Sequence, residues 1–306
     1  AGRALRGEFY AFYLFSLTGV MLCATADDLI WLFLALELTS LPTYIMVAVS
    51  TDRLRSMEAG VKYFFLGAFG AATFLMGFTL LYGATGTTDL HGMVDVFRDQ
   101  GGMSTMATAG LVMSIVGIGF KIAAVPMHFY VADVYQGAAA PVSAYLAFAP
   151  KAAGFFALAS LLSVPGWPGA VPGAIGEMDP TIRLVLWVMA ALTMTFGNAL
   201  ALLQSNAKRM LAYSSVAHSG YMLVGLVAGP GDKAWNDGLG AVLFYLLVYG
   251  VVNVGAFAVI GSLQTTNANG ETGEAEELDD LRGLCRTNPA MGWTLVICSL
   301  ALLGMP

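Results

Sequence analysis

Charged residues are scarce in this chain: Asp, Glu, Lys and Arg make up 11% of its 306 residues, whereas 58% are hydrophobic. The mean hydropathy is +0.73. A soluble domain carries roughly 25% charged residues, so this composition excludes an ordinary soluble fold. Apolar runs of about 20 residues, the length that crosses a hydrocarbon core of about 30 Å, recur along almost the whole sequence. We therefore expect an integral membrane protein with the lipid bilayer as its solvent.

Cysteine is also rare, and its spacing carries no motif. Cys23, Cys285 and Cys298 show no C-x-x-C or C-x-x-H pattern, which argues against an iron–sulfur, zinc or disulfide framework. The sequence also lacks a phosphate-binding P-loop, a dinucleotide-binding glycine motif and a His–carboxylate pair at metal-ligand spacing. We expect no cofactor or metal in this chain, with electron carriers elsewhere, and no nucleic acid as a partner.

Apolar runs bounded by Gly, Pro and charged residues predict nine membrane spans. These are Phe9–Thr25, Leu29–Val49, Val61–Tyr82, Met106–Val131, Pro141–Ser163, Arg183–Leu203, Met210–Ala228, Leu239–Leu263 and a ninth beginning at Ala290. Alternation with a period of two never persists, so the predicted fold class is all-α throughout, a polytopic helix bundle. The fourth span contains Val125-Pro126, where proline removes a backbone donor and predicts a broken helix.

The basic residues in the loops indicate how these spans are oriented. With the N-terminus in the cytoplasm, nine basic residues fall on the cytoplasmic side and three on the opposite side, which follows the positive-inside rule. The nine are Arg3, Arg6, Arg53, Arg55, Lys62, Lys208, Arg209, Arg282 and Arg286, and the three are Arg98, Arg183 and Lys233.

The loop between the eighth and ninth spans holds much of the acidic charge behind the net charge of −6. Its run Glu271–Asp280 is interpreted as a solvated face without a catalytic role. The overlapping stretch Glu276–Asn288 mixes acids, leucines and arginines, which predicts a short amphipathic cytoplasmic segment. No signal peptide precedes the first span, and the sequence stops at Met305-Pro306 inside an apolar run, which suggests a fragment.

Three ionisable residues fall deep inside predicted spans. Glu37 is near the bilayer midplane, where a charge costs roughly 2.5–3.5 kcal/mol. Lys151 is too far from either end of its span to reach the headgroups easily, and Lys121 precedes the proline break. We expect Glu37 and Lys121 to pair and Lys121 to pass a proton to Lys151. The structural alternatives are a protonated Glu37 that only bonds a neighbouring helix and a Lys121 that extends to the headgroups.

The histidines are weaker candidates. Imidazole titrates near neutral pH, and His218 is flanked by Ser214, Ser215, Ser219 and Tyr221, which are expected to order water beside it. The alternative is a structural role for His218. His128 and Asp133 are expected only to shape the mouth of the broken helix, and His91 is expected to have no role.

Several stretches resemble a known family, the antiporter-like, proton-translocating membrane subunits of respiratory complex I, which are related to subunits of multisubunit cation/proton antiporters. The stretches are Leu34–Pro42 (LALELTSLP), Lys62–Phe69 (KYFFLGAF), Leu80–Leu90 (LLYGATGTTDL), Gly119–Val142 (GFKIAAVPMHFYVADVYQGAAAPV), Ala149–Phe155 (APKAAGF) and Lys208–Tyr221 (KRMLAYSSVAHSGY). The GATGTTDL string is most similar to the subunit N branch of the family.

The resemblance implies a fold of two inverted five-helix repeats, each with a broken helix: residues 1–165, and residues 183–306, which are incomplete because the chain ends inside the second broken helix. Residues 264–289, between the eighth and ninth spans and so within the second repeat, are predicted to be a cytoplasmic loop with a short amphipathic segment. It also implies that Glu37, Lys121, Lys151 and His218 transfer protons across a bacterial inner membrane. FMN, iron–sulfur clusters and quinone are then expected in partner subunits, and other complex I membrane subunits and ordered water as partners.

Two other functions stay open at this stage. The first is a subunit of a cation/proton antiporter without redox partners. The second is a structural scaffold whose charged residues only hold helices together.

Overall fold

The computed structural model describes residues 6–51, 54–167, 178–231, 237–266 and 272–304. Its helices are α1 (Arg6–Thr25), α2 (Leu29–Ala48), α3 (Leu54–Thr85), α4 (Leu90–Asp99), α5 (Thr105–Gly119), α6 (Val131–Gly137), α7 (Ala140–Ser163), α8 (Pro180–Leu202), α9 (Ala207–Ala228), α10 (Gly238–Ser262), α11 (Leu284–Thr287) and α12 (Pro289–Leu302). Two short strands, β1 (Gln264–Thr266) and β2 (Thr272–Glu274), pair as an antiparallel hairpin between α10 and α11.

The prediction of an all-α polytopic membrane protein is confirmed. Within the described residues, seven helices are long and apolar enough to cross a membrane, and α5 and α12 are shorter apolar helices. The hairpin of β1 and β2 is the exception to a fold predicted as helical throughout. It has only three residues in each strand.

Two helices differ from the predicted spans. Helix α3 is 32 residues long and extends beyond both ends of the predicted span Val61–Tyr82. Helix α4 lies between the third and fourth predicted spans and was not predicted. Asp89 caps its N-terminus by accepting a hydrogen bond from the Gly92 amide, and its apolar side chains pack onto the core. These are Leu90, Met93, Val94 and Phe97.

The fourth predicted span, Met106–Val131, is broken, and the break begins earlier than expected. Helix α5 ends at Gly119, so Lys121 lies in the irregular segment 120–130 rather than inside a helix before Val125-Pro126. Two features exclude a continuous right-handed helix through this segment. Ala123 has a φ of 59°, and Val125, which precedes Pro126, disfavours helical backbone dihedral angles. The amide of Val125 donates to the Thr193 hydroxyl at 2.9 Å, so the open backbone is held by α8.

Glycines allow α3 and α5 to pack closely. A Cβ atom placed on Gly117 would lie 2.5 Å from the Phe74 amide nitrogen and 2.8 Å from the Gly70 carbonyl oxygen. Real Cβ atoms do not approach so closely, so Gly117 lets the two backbones meet. Small residues commonly serve this purpose between membrane helices, and this contact positions the end of α5 from which Lys121 emerges.

The acidic loop is not simply a solvated face, and that interpretation is corrected. Glu274 forms an ion pair with Lys208, and Glu276 forms one with Arg55 at 3.6 Å. The backbone around Glu276 also pairs with the start of α9, since the Ala207 amide donates to the Glu276 carbonyl oxygen at 2.7 Å. The loop therefore packs against the helix ends. Glu271 lies outside the described residues.

The predicted segment Glu276–Asn288 contains a 3-10 turn (Leu278–Leu281) and the one-turn helix α11. The repeat boundaries 1–165 and 183–306, the cytoplasmic placement of 264–289 and the orientation of the loops stay predictions. Some residues used in those predictions lie outside the described residues: Arg3, Arg53, Lys233, Met305 and Pro306.

We expect Gly117→Ala to destabilise the bundle by about 1–3 kcal/mol, because the new methyl group forces α3 and α5 apart. Gly7→Ala is the matched control, since a Cβ there has no atom within 4 Å. Thermal unfolding of the purified protein in detergent measures the difference. Equal midpoints for the two variants would contradict the close-packing argument.

Candidate functional site

The helix break places Lys121 against Glu37. The Lys121 Nζ atom lies 3.1 Å from the Glu37 Oε1 atom and 2.5 Å from the Ser40 hydroxyl oxygen. The exposed fraction is 2% for the Lys121 side chain and 18% for that of Glu37. A charge in such surroundings is stable only when it is paired and hydrogen-bonded. The expected pairing of Glu37 with Lys121 is therefore found, and Lys121 does not extend towards a headgroup region.

Helix α2 supplies both partners of Lys121 from one face. Glu37 and Ser40 are three residues apart, a spacing that places two side chains on the same side of a helix. Ser40 donates its own hydroxyl proton to the Leu36 carbonyl oxygen at 2.7 Å. Its oxygen is thereby oriented to accept from the Lys121 ammonium group.

Lys151 is buried in the interior of α7, with a relative exposure of 1%. Its Nζ atom donates to the Ser215 carbonyl oxygen and, at 2.8 Å, to the Ser219 hydroxyl oxygen of α9. It also lies 5.6 Å from the centre of the Tyr249 ring of α10. Among the described residues Lys151 forms no ion pair, so its partners are neutral oxygen atoms and an aromatic face.

Lys121 and Lys151 belong to elements that touch. A Cβ atom on Gly154 would lie 3.1 Å from the Lys121 Cβ atom and 2.6 Å from the Ile122 side chain. Gly154 is three residues beyond Lys151, on a neighbouring turn of α7. Helix α7 therefore packs directly on the helix break, which brings the two lysines into one buried region.

His218 is buried on α9, with a relative exposure of 4%. Its Nδ1 atom lies 2.5 Å from the Tyr245 hydroxyl oxygen. Its ring centroid lies 5.0 Å from that of Tyr249, the same ring that faces Lys151. Tyr249 therefore contacts both groups and adjoins the space between them.

The residues flanking His218 also serve Lys151. The Ser215 carbonyl oxygen and the Ser219 hydroxyl oxygen accept from the Lys151 ammonium group, and the expectation that these serines order water beside the imidazole stays a prediction. Tyr221 is partly exposed and its hydroxyl accepts a hydrogen bond from the Asn198 amide at 3.0 Å. The hydrogen-bonding partner of His218 is Tyr245, which was not singled out from the sequence.

The other two histidines do not contact Lys121, Lys151 or His218 in any bond or ring contact between described residues. His128 is buried within the irregular segment 120–130 and packs on Phe129 with 4.5 Å between ring centroids. His91 is exposed near the start of α4. Asp133, in α6, forms ion pairs with Lys62 at 3.0 Å and with Arg209 at 2.7 Å, which connects α3, α6 and α9.

Sequence reasoning singled out Ser215 and Ser219 only beside His218, not as partners of Lys151, and it missed Tyr245 and Tyr249. The two serines are spaced four residues apart, as are the two tyrosines, so each pair shares a helix face. That spacing is the only sequence signal for them, and it is common in helices. No group of three His, Cys, Asp or Glu side chains suited to a metal ion occurs in the part of the chain that the structure describes.

Comparisons with known proteins agree with this architecture. The family model for the transmembrane region of NADH:quinone oxidoreductase and Mrp antiporter subunits matches residues 26–306. NADH-quinone oxidoreductase subunit N of Trichlorobacter lovleyi is 42% identical over 98% of this chain and 58% of its own length. The chain thus spans less than two thirds of such relatives.

Solved structures show the same fold. A chain of respiratory complex I from Thermus thermophilus, solved with bound aureothin, matches with a TM-score of 0.79 and 36% identity over 98% of this chain and 60% of that chain. A chain of the Mrp complex from Dietzia has a TM-score of 0.80 over 96% of this chain and 51% of that chain. Its identity is 23%, so it supports the fold alone.

The similarity to subunit N inferred from the GATGTTDL string is confirmed by these relatives. Together with a family match that covers nearly the whole sequence, it shows that this chain belongs to the NADH:quinone oxidoreductase/Mrp antiporter transmembrane family.

Proposed function

We propose that this chain translocates protons across a bacterial inner membrane as part of a subunit of NADH:quinone oxidoreductase. Glu37, Lys121, Lys151 and His218 carry the transfer. The observation that supports this most is the pairing of Lys121, at a helix break, with Glu37, beside a second buried lysine that has only neutral partners. Ionisable residues inside membrane segments are rare and usually mark ion or proton pathways.

Lys121 has a carboxylate partner and Lys151 has only neutral partners among the described residues, and this difference defines two states. While Glu37 lies against Lys121, its negative charge stabilises the ammonium form of Lys121. When that influence is withdrawn, the proton moves to Lys151, whose carbonyl and hydroxyl partners solvate the new charge. Moving one charge against 100 mV takes about 2.3 kcal/mol, so the two arrangements must differ by a comparable amount. The open backbone of segment 120–130 gives Lys121 room to rearrange without unwinding a complete helix.

His218 is the next acceptor. Its ring lies against the Tyr249 ring that covers Lys151, and its Nδ1 atom is held by Tyr245. A histidine held through one ring nitrogen presents the other nitrogen in a fixed direction. Ordered water between the groups completes each step, because proton transfer requires hydrogen-bond contact or one bridging water.

The driving energy comes from outside this chain. We infer that the chain performs no redox step itself, and that FMN, iron–sulfur clusters and quinone lie in partner subunits. Other membrane subunits of the oxidoreductase are the expected neighbours. This inference is supported by the relatives at 40–42% identity, which are named as subunits N of NADH-quinone oxidoreductase.

Two alternatives predict different results. A cation/proton antiporter subunit would exchange sodium for protons without NADH. A scaffold subunit would lose assembly, but not proton transfer per assembled complex, when its buried charges are neutralised. Both are separated from the proposal by measuring protons pumped per NADH oxidised in vesicles, normalised to assembled complex.

We expect Lys121→Ala and Lys151→Ala each to lower this chain's proton-transfer rate by about tenfold or more, because a positioned proton-transfer group typically contributes about 10²- to 10⁴-fold. The measurement is vesicle acidification driven by NADH. Lys62→Ala is the matched control, since its side chain is 45% exposed. Undiminished pumping in both buried-lysine variants would refute the proposed function.

We also expect Tyr245→Phe to slow proton transfer past Lys151, because it removes only the hydroxyl that holds the His218 Nδ1 atom. His218→Phe should have a larger effect in the same direction. Tyr221→Phe is the control, since it keeps the edge contact with the His218 ring and loses only a peripheral hydroxyl. If pumping per NADH is unchanged in both His218→Phe and Tyr245→Phe, His218 has a structural role.

A further inference from the structure

The short connection between α6 and α7 joins the two lysine-bearing elements. Ala138 is the C-terminal cap of α6, and Ala139 is the N-terminal cap of α7. Segment 120–130, with Lys121, leads into α6, and α7 carries Lys151. Any shift of this connection therefore changes the relative position of the two lysines.

Uncharged side chains hold part of the connection. The Ser56 hydroxyl donates to the Gly137 carbonyl oxygen at 2.6 Å, and the Ala139 amide donates to the Ser50 hydroxyl oxygen at 3.2 Å. Ser50 follows the end of α2, the helix of Glu37, and Ser56 belongs to the first turn of α3. Backbone groups that a helix end leaves open are thus satisfied by side chains from neighbouring elements.

A buried ion pair holds the remaining groups. The Lys208 Nζ atom donates to the Ala138 carbonyl oxygen at 3.2 Å and also pairs with Glu274. The other carboxylate oxygen of Glu274 accepts from the Ala140 amide at 3.3 Å. The exposed fraction is 2% for the Lys208 side chain and 26% for that of Glu274. One ion pair therefore bridges the carbonyl oxygen of Ala138, the cap of α6, and the first amide of α7.

We propose that Lys208 and Glu274 are positioning residues for proton transfer between Lys121 and Lys151. The ion pair fixes the α6–α7 connection, and with it the separation of the two lysines. The inference rests on the proposed function, and it assigns a role to two residues that take no part in the transfer itself.

Helix α9 gives a second reason for this assignment. Ser215 and Ser219 follow Lys208 by seven and eleven residues, a spacing that places all three on one helix face. The same face of α9 therefore makes two contacts. Lys208 bonds the α6–α7 connection at Ala138, and the two serines bond Lys151 of α7. Lys151 is eleven residues beyond Ala140, about 16 Å along the helix axis, so both contacts lie on the same helix, α7.

A positioning role differs from proton carriage in what the side chain must retain. The amide oxygen of glutamine still accepts a hydrogen bond from the Ala140 amide, but glutamine does not exchange protons near neutral pH. Leucine does neither. Glu274→Gln and Glu274→Leu therefore separate the two roles, and Lys208→Met tests the other partner.

The experiment uses the intact oxidoreductase in vesicles with two measurements. The first is hydrogen exchange of the Ala140 amide, and the second is protons pumped per NADH in assembled complex. We expect Glu274→Leu and Lys208→Met to raise the exchange rate by about tenfold or more, which corresponds to about 1.4 kcal/mol, and to lower the pumping ratio. Glu274→Gln keeps an acceptor for the Ala140 amide but loses the charge that pairs with Lys208, so we expect a clearly smaller change than with Glu274→Leu in both measurements. Asp279→Leu, in the same loop and 79% exposed, is the control and should change neither.

Three results would overturn the inference. In the first, Glu274→Gln lowers the pumping ratio as much as Glu274→Leu does. In the second, Glu274→Leu raises the exchange rate of the Ala140 amide but leaves the pumping ratio unchanged, and in the third it changes neither quantity. Lys121→Ala in the same vesicles separates this failure from that of the proposed function. If Lys121→Ala lowers the ratio and Glu274→Leu does not, only the positioning role is lost. If neither does, the proposed function is lost as well.

Discussion

The cost of burying a charged amine inside a membrane bundle governs this structure. A lysine side chain away from water is stable only where fixed oxygen atoms or a carboxylate replace its hydration. Three buried lysines are stabilised in three different ways. Lys121 contacts a carboxylate and a hydroxyl. Lys151 contacts a carbonyl and a hydroxyl, and Lys208 contacts a carboxylate and a carbonyl. Helices α2, α9 and the hairpin are placed so that these partners converge.

These arrangements form one connected system. The break after α5 frees Lys121 from helical geometry and allows it to reach Glu37. Gly154 lets α7 pack onto the break, while α9 supplies the partners of Lys151 and carries His218. Packed helices thus connect the surroundings of the two lysines and of His218.

The sequence supports the membrane fold, the helix break and the Glu37–Lys121 pairing, because each follows from composition, proline chemistry or the cost of an isolated charge. The start of the break was not predictable, since Ala123, a residue without a preference for positive φ, takes that conformation only under tertiary contacts. The partners of Lys151 are neutral and common residue types, so no pattern distinguished them. Glu274 lies in an acidic run, which is usually a solvated face, and its burial depends on where α9 begins. Helix α4 was predictable from Asp89 and the apolar spacing that follows it.

The most direct test of the account is a double-substitution cycle on Glu37 and Lys121, read as protons pumped per NADH in assembled complex. The variants are Glu37→Gln, Lys121→Met and the combination. Residues that work as one unit lose function together, so removing the second adds little. The account predicts that the double variant pumps no less than Lys121→Met alone. Losses that multiply would show that the two residues act independently and would contradict it.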